Sequence, residues 1–97
     1  MNNTLSFQIN NDHPCLAGHF PNNPIVPGVV ILERVLYLFA KKFPTKRILE
    51  VNKVKFLKPL ITDLESEVNF EEVANSKFGF TVFQNSQLIV TGHIGLQ

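Results

Sequence analysis

The chain has 97 residues, 44% of them hydrophobic and 18% charged, with nine Lys and Arg against eight Asp and Glu for a net charge of +1. That length allows one small domain over residues 1–97, the apolar content excludes a disordered charged tail, and the balanced charge offers no case for a nucleic-acid partner. With charged groups below the ~25% usual in soluble domains, part of the surface is expected to lie against another copy of the chain or a partner.

Thr4 to Ile9 alternates polar and apolar residues and predicts a half-buried strand. The first nine residues hold no Lys or Arg and no long apolar block, so no secretory signal is expected. From Asn10 to Pro27 the chain carries four of its six prolines, at positions 14, 21, 24 and 27. Proline fixes φ and removes an N–H donor, so this stretch reads as a long loop. Long ordered loops tend to carry function. Cys15 is the one cysteine, which excludes an intrachain disulfide and reads as a small apolar side chain rather than an activated nucleophile. His13, Cys15 and His19 do not form a known zinc-ligand spacing, and Pro14 restricts them further, so no metal is expected.

Gly28 to Lys42 predicts the one helix, with Pro27 and Gly28 at its entrance, Lys41 and Lys42 at the negative end of its dipole, and Pro44 stopping it. Its body is apolar on nearly every side, which predicts a helix buried all round. The nearly apolar run Val29 to Ala40 is broken by Glu33 and Arg34 and falls well short of the ~20 residues that span a bilayer. A cytoplasmic chain with no membrane partner is expected. From Lys46 onward the pattern has period two. Arg47 to Lys58 is extended with a bulge near Asn52, and three further strands follow around Val68, Phe80 and Val90, with turns at Asn75-Ser76 and Asn85-Ser86. The expected architecture is α+β, an antiparallel sheet of about five strands, the last four in a meander, wrapped round the helix. His93 takes the parity opposite Val90 and Ile94 and is expected to face solvent.

The segment Asn11 to Glu33 holds Gly18-His19-Phe20-Pro21, Pro24, Pro27-Gly28 and then the helix acid Glu33. This pattern resembles the hotdog-fold 3-hydroxyacyl-acyl-carrier-protein dehydratases of the FabZ and FabA type. Val54-Lys55-Phe56-Leu57-Lys58-Pro59 resembles the strand that enters the family's second block. The sequence begins close to the strand before the histidine loop, without the family's N-terminal helix and His-Arg-Tyr-Pro-type strand, and has Tyr37 where Gln is common. Such short variants resemble dehydratases of specialised pathways, for example aryl polyene synthesis.

The resemblance implies a hotdog fold and dehydration of a (3R)-hydroxyacyl thioester, on an acyl carrier protein, to the trans-2-enoyl product. Such a reaction needs a base for the C2 proton, an acid for the leaving hydroxyl and donors for the thioester oxygen. The unperturbed pKa of a histidine, about 6.5, lies close to working pH, which suits His19 to the base role that the resemblance implies; a turn-capping loop histidine is the plainer alternative. Glu33 matches the acid that protonates or orients the leaving group; an exposed glutamate paired with Arg34 or Lys41 is its alternative. Gly28 opens the helix, where free N–H groups meet the positive dipole end, and by resemblance it polarises the thioester carbonyl, with Phe20 and Val29 as further substrate-binding positions. No cofactor is implied, since the phosphopantetheine arm arrives on the carrier protein. In the family the histidine and the acid meet across a dimer interface, which implies a homodimer, a heterodimer with a related hotdog subunit, or a larger assembly. A hotdog thioesterase and a non-catalytic partner subunit are the rival readings. Arg34 to Lys58 concentrates eight of the nine basic residues against Glu50 alone, a net of +7, which reads as a solvated face or as a rim that steers an acidic carrier protein.

Overall fold

The computed structural model describes residues 4–12 and 26–97. The elements run β1 (Thr4–Phe7), α1 (Gly28–Lys42), β2 (Ile48–Phe56), β3 (Ser66–Ala74), β4 (Lys77–Gln84) and β5 (Gln87–Leu96). His13, Cys15, His19, Phe20 and three of the loop prolines lie outside the described residues.

The helix has the expected bounds. The Pro27 carbonyl accepts from the N–H of Val30 at 3.0 Å and of Ile31 at 3.3 Å, and the Phe43 N–H closes the last turn on Phe39 O at 2.9 Å. Lys41 and Lys42 occupy the last turn, and no acid occupies the first.

All five strands form one antiparallel sheet in the order β1-β3-β4-β5-β2. Only β3, β4 and β5 make a meander. The strand β2 pairs with β5 at the far edge instead of with β3, so residues 57–65 must cross the end of the sheet to reach β3. The β4–β5 turn places Asn85 and Ser86 both at positive φ, 49° and 64°, the two left-handed residues that a tight hairpin needs. The β2 bulge falls where the parity breaks: the register slips between Asn52 and Lys55, with Lys53 at φ 54°.

One face of the sheet carries Val68, Phe70, Phe78, Phe80, Val82, Val90 and Ile94 into a single core with Val30, Ile31, Val35 and Phe39 of the helix. Helical periodicity puts those four helix residues on the side facing the sheet. The opposite side, Val29, Glu33, Tyr37 and Ala40, stays exposed, with Val29 at 70% and Tyr37 at 56%. The expectation of a helix buried all round is therefore corrected: one sheet can cover only the face turned toward it. Among the described residues, no helix is long and apolar enough to cross a membrane.

Candidate active site

Gly28 stands at the first turn of the helix. Val30 is the first N–H that bonds back to Pro27, so the amides of Gly28 and Val29 have no acceptor within the helix. The ring of Phe56, at the end of β2, lies directly against Gly28; a Cβ at this position would sit 2.7 Å from its Cζ. A side chain would have to displace the ring, so glycine here allows close approach of strand and helix. Between them opens a mostly apolar cleft of about 400 Å³, lined by Val26, Gly28, Ile31, Phe56, Leu57 and Leu60 among others. Apolar walls with a few free backbone donors suit an acyl chain ending in a polar head.

Val29 and Glu33 are not among the residues lining this cleft. They lie on the exposed side of the helix, where Glu33, Arg34 and Tyr37 border a second hollow. Glu33 forms no ion pair with Arg34 or Lys41 among the described residues, and the Lys41 ammonium instead sits 5.5 Å over the Tyr37 ring. Glu33 and Gly28 are separated by about 7.5 Å of helix rise. One protomer thus brings Gly28 to the cleft and leaves Val29 and Glu33 facing outward, while His19 and Phe20 are outside the described residues.

Sequence reasoning gave no site role to Phe56, Leu57 and Leu60. For Phe56 and Leu57 the signal was present in the Val54-to-Pro59 segment, where these two large apolar residues follow one another. Phe56 and Leu57 are 50% and 52% exposed.

On the outer face of the sheet, away from the helix, Lys53, Lys55, Thr81, Thr91 and His93 border another hollow of about 450 Å³. His93 was expected to face solvent. It does lie on the outer face, but it is half-buried and its Nδ1 is shielded without a hydrogen-bond partner. Burial first, then Lys77 and Lys53, lower its pKa below 6.5. The unfolded chain therefore takes up the proton first on acidification. Stability that is present above pH 6.5 should be lost as pH falls from there through the lower folded value. An NMR titration of the folded protein should place the His93 midpoint below 6.5, and His93→Gln should remove this part of the acid-linked loss. A midpoint at or above 6.5 would contradict the assignment.

The family model described as ApeI dehydratase matches residues 1–93. The chain belongs to the ApeI-like family. It is similar to the 3-hydroxyacyl-[acyl-carrier-protein] dehydratase FabZ of Actinobacillus succinogenes, 32% identical over 81 residues covering 74% of this chain and 53% of the relative. It is also 30% identical to the FabZ of Chlamydia trachomatis over 86% of this chain and 63% of that one. The chain spans about half the length of the first of these relatives. Among solved structures, it resembles the dehydratase heterocomplex ApeI:P of Xenorhabdus doucetiae, with a TM-score of 0.74, 25% identity and coverage of 96% and 84%. A 1,4-dihydroxy-2-naphthoyl-CoA thioesterase from Synechocystis shares the fold at a TM-score of 0.69 but only 10% identity, with coverage of 99% and 80%. The ApeI-like chain is thus a FabZ-like hotdog protein, and its described residues form the five-stranded antiparallel sheet and the single helix that the sequence led us to expect.

Proposed function

We propose that this ApeI-like chain catalyses, within a hotdog dimer, the dehydration of a (3R)-hydroxyacyl thioester carried on an acyl carrier protein. The observation that carries the reading is the match of residues 1–93 to the ApeI dehydratase family, which spans the entire His19-to-Glu33 motif. In this mechanism the acyl chain enters along the apolar cleft beside Gly28, with Phe20 against it and Val29, which faces outward, contributing from the partner subunit's side. The free amide at the helix N-terminus donates to the thioester oxygen as it gains negative charge. His19 removes a C2 proton, and the C2 electron pair forms the C2–C3 double bond as the C3–O bond breaks. Glu33 supplies the proton with which the hydroxyl leaves as water, or holds that water in place. No metal or organic cofactor takes part, and the phosphopantetheine arm comes with the substrate.

The outward placement of Glu33 and Val29 supports an active site completed by a second hotdog subunit. So does the apolar surface left open by Tyr37, Leu49, Phe56 and Ile61. That the neighbouring structure is a dehydratase heterocomplex favours a related but different subunit as a second reading. We place the reaction in the cytoplasm, in fatty-acid or polyene-type biosynthesis, with the basic stretch Arg34 to Lys58 steering the acidic carrier.

The test is to incubate the purified protein with a 3-hydroxyacyl carrier protein, alone and with a related hotdog subunit, and to follow the acyl species by mass spectrometry. Loss of one water from the acyl group by the protein alone is the expected result. Product formed only after the second subunit is added would assign the chain a partner's share of the site. Free carrier thiol without enoyl product would replace dehydration with thioester hydrolysis.

A further inference from the structure

The outer face of the sheet, turned away from the helix, carries polar side chains in cross-strand rows. Lys55, Thr91 and Thr81 stand in one row across β2, β5 and β4. Asn52, His93, Gly79 and Glu71 stand in the next, which reaches β3. Lys53, in the β2 bulge, borders the same hollow of about 450 Å³ as Lys55, Thr81, Thr91 and His93.

Three features set this hollow apart from an ordinary solvated face. Neither Lys53 nor Lys55 forms an ion pair among the described residues, so both ammonium groups are left to solvent or a ligand. Gly79 lies in the middle of β4, in regular register with both Glu71 and His93 and outside the left-handed region. A Cβ there would meet only ordinary contacts, Val73 Cγ1 at 3.5 Å and His93 Cδ2 at 3.9 Å. Neither backbone nor packing thus demands glycine, which weakens a strand interior and marks places where a ligand approaches closely. The third feature is the His93 ring. Its Nδ1 is shielded without a hydrogen-bond partner, so a proton there would be stranded. The neutral ring therefore carries its proton on Nε2, the nitrogen bonded to Cδ2, on the edge beside Gly79. Nε2 has no protein partner among the described residues.

We propose that this hollow binds a tetrahedral oxyanion, a sulfate or phosphate group, between the ammonium groups of Lys53 and Lys55 and the Nε2–H of His93. The hydroxyls of Thr81 and Thr91 are further donors. Donors on three neighbouring strands converge from different directions, which suits a tetrahedral group better than a planar carboxylate. Glu71 stands two strands from His93, about 9–10 Å away, which leaves the cationic end its sign. Besides Lys53 and Lys55, the charged groups around His93 are Glu50 on β2, held by Asn52 Nδ2 at 3.2 Å, Lys77 on β4 and Glu71 on β3. Burial first, then Lys77 and Lys53, disfavour the imidazolium. A bound anion offsets the lysines, so it should raise the His93 midpoint. The site is independent of the dehydratase reading.

The experiment titrates the full chain, in whatever assembly it forms, with sodium sulfate at constant ionic strength in chloride, following backbone amides and the His93 ring by NMR. Saturable shifts confined to residues 53–55, 79–81 and 91–93 are expected, with the His93 midpoint moved upward. Lys53→Asn, which tolerates the φ of 54° at that position, and Lys55→Gln should each weaken binding about tenfold, as for loss of one charge-assisted hydrogen bond. Gly79→Ala should weaken it several-fold while leaving the denaturation midpoint unchanged or higher, because alanine stabilises a strand interior relative to glycine. Glycerol phosphate, run beside sulfate, separates two sources of the same chemistry: tighter binding assigns the site to a phosphate monoester, equal or weaker binding to the free ion. Shifts that do not saturate, equal shifts at Lys41 and Lys42, or unchanged affinity in Lys55→Gln and Gly79→Ala would overturn the site. Saturable binding with the His93 midpoint unmoved would remove His93 from it.

Discussion

Replacing His19 by Ala or Glu33 by Gln is expected to lower enoyl formation by about 10²- to 10⁴-fold in each case, the range usual for losing a general acid or base. Glu33→Gln is the sharper of the two. It keeps the size and shape of the side chain and removes only the ionisable proton. Glu33 is exposed and forms no ion pair among the described residues, so the substitution should leave thermal stability nearly unchanged. The double variant should be little worse than the weaker single one, because groups acting on one transition state do not contribute independently. Single-turnover assays on a 3-hydroxyacyl carrier protein measure all three. Enoyl formation persisting at wild-type rate in both single variants would refute the assignment of these residues.

Phe39→Ala should be the most damaging core substitution, costing about 3–5 kcal/mol. Phe39 is completely buried, and its ring meets three others: Phe43 at 4.9 Å, Phe70 at 5.3 Å and Phe78 at 5.2 Å, the last two edge-on at 75° and 76°. Truncation removes the ring that ties the end of the helix to β3 and β4 and leaves a cavity that those rigid neighbours cannot fill. A domain of this size has about 5–15 kcal/mol in all, so Phe39→Ala should shift the denaturation midpoint severely or prevent folding. Phe39→Leu, which keeps most of the volume, should lose distinctly less. If Phe39→Ala unfolds at the wild-type denaturant concentration, the packing described for this end of the core is wrong. The comparison must be made at fixed protein concentration, because assembly would add stability by mass action.

Local chemistry accounts for the elements that were legible in the sequence. Pro27, Gly28 and Pro44 bracket the helix because proline and glycine restrict or free the backbone wherever they stand. Asn85-Ser86 makes its turn because Asn tolerates positive φ, and the parity break between Val51 and Val54 registers the β2 bulge directly. Other features depended on contacts between distant segments. A period-two pattern says which face of β2 is apolar and nothing about its neighbour, so the pairing with β5 in place of β3 was not legible. The helix was expected to be buried all round because its composition is apolar, yet composition counts residues without counting what is available to cover them. Phe56 and Leu57 gained their place beside Gly28 only once β2 lay at the sheet edge.

By itself, then, the sequence determined a short apolar chain with the helix Gly28–Lys42, a proline-rich segment that holds His19 and enough period-two pattern for a sheet. It also carried the motif that ties the chain to a dehydratase family. Those properties follow from backbone propensity and residue chemistry, which act over a few neighbours. The tertiary structure alone decided the crossover of residues 57–65, the cleft at Gly28 and the exposure of Val29, Glu33 and Tyr37. These depend on which strand lies beside which, and a single sheet has only one apolar face to offer a helix.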